Sequence, residues 1–519
     1  MQQPRMGRAR AAKQAQRLAA SGDRPSPIHK GMSGGQYKPL TDQQIQRIHT
    51  AALDVMEQIG MGTPGALLTE LATARGGWIN EKGRLCFPRT LIEELVDGAA
   101  KELVLYGRDS KHDLEIAKEK VYFGTGGAAI SVLDFKTGEY RNSTLVDIYD
   151  FGRLVDQLPN VNWFTRSVIA TELPQPLELD INTAYALMAG TQKHVGTAIT
   201  LPENVEPVVA LFDIVAGGAG KFRQRPFCKL HTSPIVPPLR YGADAQGVIV
   251  EAMKHGFPIN SITAGQSGAT APATLAGTLV QTFAETLAAL AFVNLIEPGY
   301  PFIFSNWPFV SDLRTGAMTG GSAEGGLLNA AAAQLANFYD LPSGVAGGMP
   351  DSKIPDAQSG YENVLPNAIS GLSGANLIYE SSGMLASLLG CSFEAFVIND
   401  ESIGSIIRAI RGIEVTDETL GIETIADVVD GAGHFLGTAQ TISVMETEYL
   451  YPVVGDRVTP TQWAEYGSKD MWQRAREKVQ TLMQHFPTYV TEEQDLEIRD
   501  QFDIQLRIED MTARAGRWA

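Results

Sequence analysis

From residue 120 onward the chain alternates short β-rich runs with longer stretches of helical spacing. The β-rich runs are KVYFGTGG from Lys120, WFTRSVIAT from Trp163, HVGTAIT from His194 and FCKLHTSP from Phe227. Four more follow: PINSITAG from Pro258, PFIFSNWP from Pro301, PSGVAGG from Pro342 and ANLIYES from Ala375. Their starts are separated by 43, 31, 33, 31, 43, 41 and 33 residues. Between them lie LVDIYDFGRLVDQL, NVEPVVALFDIVAG and TLAGTLVQTFAETLAALAFVNLI, in which apolar residues recur at helical spacing. Eight strands alternating with helices at this interval predict an α/β fold, a (β/α)8 TIM barrel. A doubly wound sheet is the rival. FGTGGAA after the first strand, however, is not GxGxxG, and no acidic residue follows at nucleotide-binding distance.

Outside the barrel the pattern changes. Residues 1–40 are polar and rich in turn formers, and read as an extension. A helix is predicted from Thr41, with Ile45, Ile48, Ala52, Val55, Met56 and Ile59 on one side. The strand-like pieces GRLCF and KELVLYG and a helix over 89–99 complete a small α+β cap at 41–118. The barrel spans 119–410. A C-terminal helical region, 411–519, contains KDMWQRAREKVQTLMQHF and TEEQDLEIRDQFDIQLRIE.

Composition narrows the partners. Of 519 residues, 44% are hydrophobic and 19% charged, and the net charge is −17. Residues 1–30 hold seven Lys/Arg against one Asp, a charge of +6, so the remaining 489 carry −23. So acidic a body repels phosphate backbones, and nucleic acid is not an expected partner. The richest apolar run, Leu287 to Ile296, is ten long, and no h-region follows the basic N-terminus. Neither a membrane span nor a secretory signal is therefore expected. Cys86, Cys228 and Cys391 are isolated, with no CxxC, and HExxH is absent. This pattern fits a reducing cytoplasm and gives no protein-bound metal; His231, three residues after Cys228, is too thin a pair for a site.

Chemistry in such barrels sits where strands end. These strand ends carry no carboxylate pair, no GxSxG, no Cys/His pair and no P-loop. They offer GTGG, HTSP, AGQSGATAP, SNWPF and AGGMPDSK, which suit a neutral or cationic organic ligand.

Several long stretches are more specific. AGQSGATAPATLAGTLVQTFAETLAAL is followed by SDLRTGAMTGGSAEGGLLNAAAAQLANFYDLPSGVAGGMPDSKIPDAQSGYEN, then GHFLGTAQT and WAEYGSKD. With WINEKGRLCFP, LYGRDSKHDL, FGTGG and GIEVTDETL, they resemble the trimethylamine:corrinoid methyltransferase family from about Leu40 to about Pro487. The resemblance implies a barrel whose mouth receives an amine and docks a separate corrinoid protein, the methyl group passing to cobalt as Co(I). Archaeal trimethylamine enzymes of the family carry pyrrolysine after the seventh strand. Here the run is VAGGMPDSK, so Met349 occupies that position. Relatives without pyrrolysine act on quaternary amines, and glycine betaine is the leading expectation. Carnitine, proline betaine and γ-butyrobetaine are further quaternary candidates. The alternatives are a tertiary-amine enzyme and a non-catalytic methylammonium-binding protein on the same barrel.

On this reading Glu285, in FAETLAAL, is the candidate catalytic group facing the cation. A trimethylammonium has no N–H to donate, so aromatic faces must receive it. Phe123, Trp307, Phe309 and Tyr379 are the candidates, with Trp307 and Phe309 on one face and Phe304 on the other. His231 is the candidate hydrogen-bond donor to a substrate carboxylate. Gln266, Met349, Gln358 and Tyr361 complete the expected substrate-binding set. The corrinoid is the methyl acceptor, supplied free or by its own protein, since this chain has no DxHxxG run. A homo-oligomer is expected.

Overall fold

The computed structural model describes residues 26–518, so the basic segment MQQPRMGRARAAKQAQR lies outside the described residues. The eight parallel strands are β1 (Lys120–Phe123), β2 (Trp163–Thr165), β3 (His194–Thr197) and β4 (Cys228–Thr232), then β5 (Ile259–Thr263), β6 (Phe302–Asn306), β7 (Ser343–Ala346) and β8 (Leu377–Tyr379). Each begins within two residues of the start read from the sequence. They pair in ring order from β2 through β8 and back to β1, with Leu377 opposite Tyr122. The β1–β2 seam is closed by the Asn162 amide donating to the Phe123 carbonyl (2.7 Å) and the Thr125 amide donating to that of Trp163 (3.4 Å). The curled sheet is thereby completed as a (β/α)8 ring.

The helices are α1 (Leu145–Asp156), α2 (Pro176–Gly190), α3 (Val205–Ala216) and α4 (Ala243–Lys254), then α5 (Leu275–Ile296), α6 (Ala323–Phe338), α7 (Ala357–Leu372) and α8 (Phe393–Arg411). Among the described residues, α5 alone is long and apolar enough to cross a bilayer by length and composition; 78% of its most apolar window is buried. It matches the helix read over TLAGTLVQTFAETLAALAFVNLI, and Thr282, Glu285 and Thr286 are buried in it along with its alanines and leucines. The reason is its position, with β5 and β6 on one side and the cap helices Asp42–Asp54 and Arg89–Asp97 on the other. A helix covered all round loses its polar face.

Thr41 caps the first cap helix, its hydroxyl accepting from the Gln44 amide. Gln334 on α6 bonds both backbone groups of Leu40 and fixes the chain's entry into the cap. A hairpin, Glu102–Leu105 with Leu114–Ala117, sends Leu105, Leu114 and Ile116 into the cluster that fills the lumen, alongside Tyr122 and Leu377. It plugs the end opposite the mouth. The C-terminal helix Met471–Leu482 packs on α8, and Glu492–Gln501 packs on α3. The latter is shorter than TEEQDLEIRDQFDIQLRIE implied: it stops at Gln501, and Phe502 is already extended. Buried Arg153 on α1 joins this segment to the barrel by donating to the carbonyls of Met483 and His485.

Candidate active site at the barrel mouth

Strands of a barrel alternate lumen-facing with helix-facing side chains. On β4 this places Lys229 and His231 inward. On β6 it places Ile303 and Trp307 inward, while Phe304 packs outward on Phe283 of α5. On β8, Leu377 and Tyr379 face the lumen. Near the mouth these side chains form a wall of rings. The His231 ring lies 5.6 Å from that of Trp307 and 5.6 Å from that of Tyr379. Trp307 and Tyr379 are 5.1 Å apart, Tyr379 and Trp163 are 5.0 Å apart, and Phe309 stands 6.5 Å from Trp307. Met349 is buried in the same cluster, beneath the Gly320 turn.

The loop after β1 explains its own glycines. A side chain at Gly124 would overlap the Trp163 ring. A Cβ at Gly126 would lie 2.6 Å from Glu380 Oε1, and one at Gly127 would lie 3.0 Å from Oε2. FGTGG is therefore the clearance for one indole and one carboxylate. Glu380 follows β8 directly, in the left-handed region at φ 59°. Neither of its oxygens finds a hydrogen bond among the described residues. A strained, buried, unpaired carboxylate beside a barrel mouth is a functional signature. Burial pushes its carboxyl up to about 8, so it is neutral at pH 7.

Lys229 is a second buried ionisable group without a partner among the described residues. Its ammonium lies 5.1 Å from the Trp163 ring centre and 5.4 Å from that of Tyr379, and burial pulls it down to about 7. Burial first, then the neighbouring charges of Lys229 and Arg166, push His231 down to about 3, so its imidazole is neutral. Its Nδ1 is held at 3.0 Å by Asn260 Nδ2, which fixes Nδ1 as the acceptor.

Of the residues read from the sequence, Trp307, Phe309, Tyr379, His231 and Met349 come together. Gln266 lies at the rim, in a small sheet where it pairs with Phe309 and donates to the Ser311 hydroxyl at 2.7 Å. Phe123 does not join the rings. It points outward against α7, where a Cβ on Gly371 would sit 3.1 Å from its ring. The lumen-facing ring of β1 is Tyr122.

Glu285 stands outside the ring of strands. Its Oε1 accepts from the Leu239 amide (2.9 Å) and from Gln281 (3.0 Å), while Oε2 has no partner among the described residues. Burial pushes it up to about 7. It holds the loop after β4 and does not touch the aromatic cluster. Gln358 donates to Glu362 Oε1 at 2.8 Å, and Glu362 Oε2 accepts from the amides of Asp351 and Ser352. Tyr361 is 63% exposed. Gln358 thus buttresses the loop after β7, Tyr361 faces solvent, and neither belongs to the cluster that fills the lumen.

Trp163, Lys229 and Glu380 were missed from sequence. A lysine in the middle of a buried parallel strand, two residues from the chosen His231, was the available signal. A separate cavity of about 440 Å³ opens beside the mouth between α7, α8 and Met471–Trp472 and includes none of the ring residues.

Comparison with known proteins agrees with this architecture. The family model described as trimethylamine methyltransferase (MTTB) matches residues 5–507. The trimethylamine methyltransferase MttB of Desulfitobacterium hafniense (strain DSM 10664 / DCB-2) is 33% identical over 86% of this chain and 89% of its own length. That of Methanosarcina barkeri is 31% identical over 88% and 92%. A glycine betaine methyltransferase of Desulfitobacterium hafniense (strain Y51) is 28% identical over 87% and 93%. In fold, the chain is similar to the crystal structure of the hydroxylamine MtmB complex, with a TM-score of 0.50 at 14% identity over 86% of this chain and 90% of that one. A match spanning nearly the whole sequence, on a barrel whose mouth is walled by aromatic rings, makes this chain an enzyme of the trimethylamine methyltransferase (MTTB) family.

Proposed function

We propose that the protein takes a methyl group from a quaternary amine, glycine betaine foremost, and delivers it to the Co(I) of a corrinoid carried by a separate protein. The observation that carries this reading is the ring wall of Trp163, His231, Trp307 and Tyr379 at the mouth. A tetrahedral trimethylammonium offers no hydrogen-bond donor, so it is bound by ring faces, each contributing roughly 0.5–2 kcal/mol when water is excluded. Neutral His231 adds a ring without adding a competing positive charge.

The reaction is a displacement at carbon. The N–CH3 bond breaks and its electron pair stays on nitrogen, which leaves as a neutral amine. The product is dimethylglycine as its carboxylate, net charge −1, which takes a proton from solvent after release, and Co(I) supplies the electron pair for the new bond. A quaternary amine already has a neutral leaving group. A tertiary amine would first need protonation or other activation, and Met349 brings none. The chain's own residues orient the ammonium and keep water from it.

The second reading, a tertiary-amine enzyme, is favoured by the higher identity to the trimethylamine relatives. An amine panel with cob(I)alamin, followed by loss of Co(I) absorbance, separates the two. Glycine betaine should turn over at least about tenfold faster than trimethylamine, a barrier difference of about 1.4 kcal/mol. Equal rates would sink the quaternary reading.

Self-association is part of the same proposal. The segment after α8 exposes Ile413 (89%), Ile422, Val429 and Leu436 (85%), an apolar surface typical of subunit contacts. Light scattering that finds a monomer at micromolar concentration would refute this.

A further inference from the structure

The barrel buries two lysines in very different settings. Lys193, just before β3, donates to the carbonyls of Val155, Leu158 and Val161 at 2.6–2.7 Å and is fully satisfied. Lys229 is as deeply buried, yet its ammonium meets no hydrogen-bond partner and no carboxylate among the described residues. An unpaired buried ammonium is costly, so a protein that keeps one has a use for it.

The hydroxyls around Lys229 can donate as well. A Cβ on Gly196 would lie 2.6 Å from Thr165 Oγ1 and 3.3 Å from Lys229 Nζ, so the two converge on one spot. Thr165 Oγ1 and the Tyr379 hydroxyl are both buried and both without partners among the described residues. The Tyr379 ring lies 5.4 Å from Lys229 Nζ. One further unpartnered atom, His194 Nε2, is two residues below Gly196 on β3. With His194 Nδ1 bound to the Tyr106 carbonyl, it presents a lone pair and not a proton. At the level of Lys229 the lumen thus holds one amine and two hydroxyls able to donate to an anion, and no carboxylate pairs with them among the described residues.

We propose that Lys229, with Thr165 and Tyr379, is the anchor for the carboxylate of a zwitterionic substrate, which this group holds in the lumen below the aromatic wall. The proposal rests on the quaternary-amine reading above and narrows it to betaines. Lys229 lies two residues from His231 on β4, about 6–7 Å further from the mouth. A substrate held there by its carboxylate stands with its ammonium at the level of His231, Trp307 and Tyr379. Its N-methyl groups then face the mouth, the side from which a docked acceptor must reach them. Quaternary amines without a carboxylate leave the donors empty and lose the anchor.

The test is calorimetric binding of glycine betaine and of tetramethylammonium to the full chain, in the parent, Lys229→Met and Thr165→Val. The parent should bind betaine at least about tenfold more tightly than tetramethylammonium. Lys229→Met should weaken betaine by about 100-fold, as loss of a charge-assisted bond in a dry site does. It should leave tetramethylammonium bound at least as tightly, because it removes a like charge 5.1 Å from the Trp163 ring centre and 5.4 Å from that of Tyr379. Thr165→Val should weaken betaine about fivefold and supplies the answer should the lysine variant not fold. Both variants delete an unsatisfied buried group, so both should melt at or above the parent's temperature. Betaine bound as tightly by both variants as by the parent, or a parent that binds both cations alike, overturns the anchor while leaving the quaternary-amine reading intact. A parent that binds neither cation overturns that reading, and the anchor with it.

Discussion

Replacing Glu380 by glutamine should flatten the pH dependence of stability. The carboxyl is fully buried between Gly126, Gly127 and the Met384 side chain, with no hydrogen bond among the described residues. Its ordinary value is 4.5, and burial pushes it up to about 8. Between those two values the folded protein holds a proton that the unfolded chain releases. Stability from this group is therefore fully present below about pH 4.5 and is lost as pH rises through about 8. A tenfold change in proton affinity is worth about 1.4 kcal/mol, so the whole window is about 5 kcal/mol. Glutamine is nearly isosteric and does not ionise, so the variant lacks this slope. Unfolding entropy of about 2.1 cal/mol/K per residue makes about 1 kcal/mol equal to about 1 °C for a chain of this size. The melting temperature of Glu380→Gln minus that of the parent should rise by about 4 °C between pH 5 and pH 8. Calorimetric melts of both proteins across that range give the answer. A gap that stays constant, or narrows with pH, would refute the claim that Glu380 is protonated in the folded protein.

Three further outcomes follow from the geometry. Glu285→Gln keeps the carbonyl oxygen that accepts from Leu239 and should retain activity within about threefold, whereas Glu285→Ala orphans that amide and should destabilise by about 1–3 kcal/mol; a loss beyond about a hundredfold in the glutamine variant would restore Glu285 to a catalytic role. Trp307→Ala should weaken betaine binding at least about tenfold, while Phe123→Ala, which opens a cavity between β1 and α7, should cost about 3–5 kcal/mol in stability and leave binding unchanged; calorimetry and melting that give the reverse pattern would show the wall is misplaced. Met349→Leu conserves volume and should keep most of the turnover; a hundredfold loss in a folded variant would mean the thioether acts directly.

The sequence by itself determined the order of elements and the spacing that makes a barrel. All eight strands begin within two residues of their expected starts, because β-rich runs bounded by Gly, Pro and Ser are local signals. It also determined the family, since the long motifs through FAETLAAL and GGMPDSK are strings that need no folding to read. The tertiary structure decided which face each residue presents. Strands of a parallel barrel are buried on both sides, so Tyr122 and Phe123 look equally apolar in sequence. Only the ring closure sends Tyr122 into the lumen and Phe123 against Gly371. The same closure brings Thr165 from β2, Lys229 from β4 and Tyr379 from β8 together, residues up to 214 positions apart. No local pattern records whether a buried lysine has partners. Lys193 and Lys229 are alike in sequence, and the difference between a satisfied cation and an open one lies in carbonyls and hydroxyls that only the fold assembles around them.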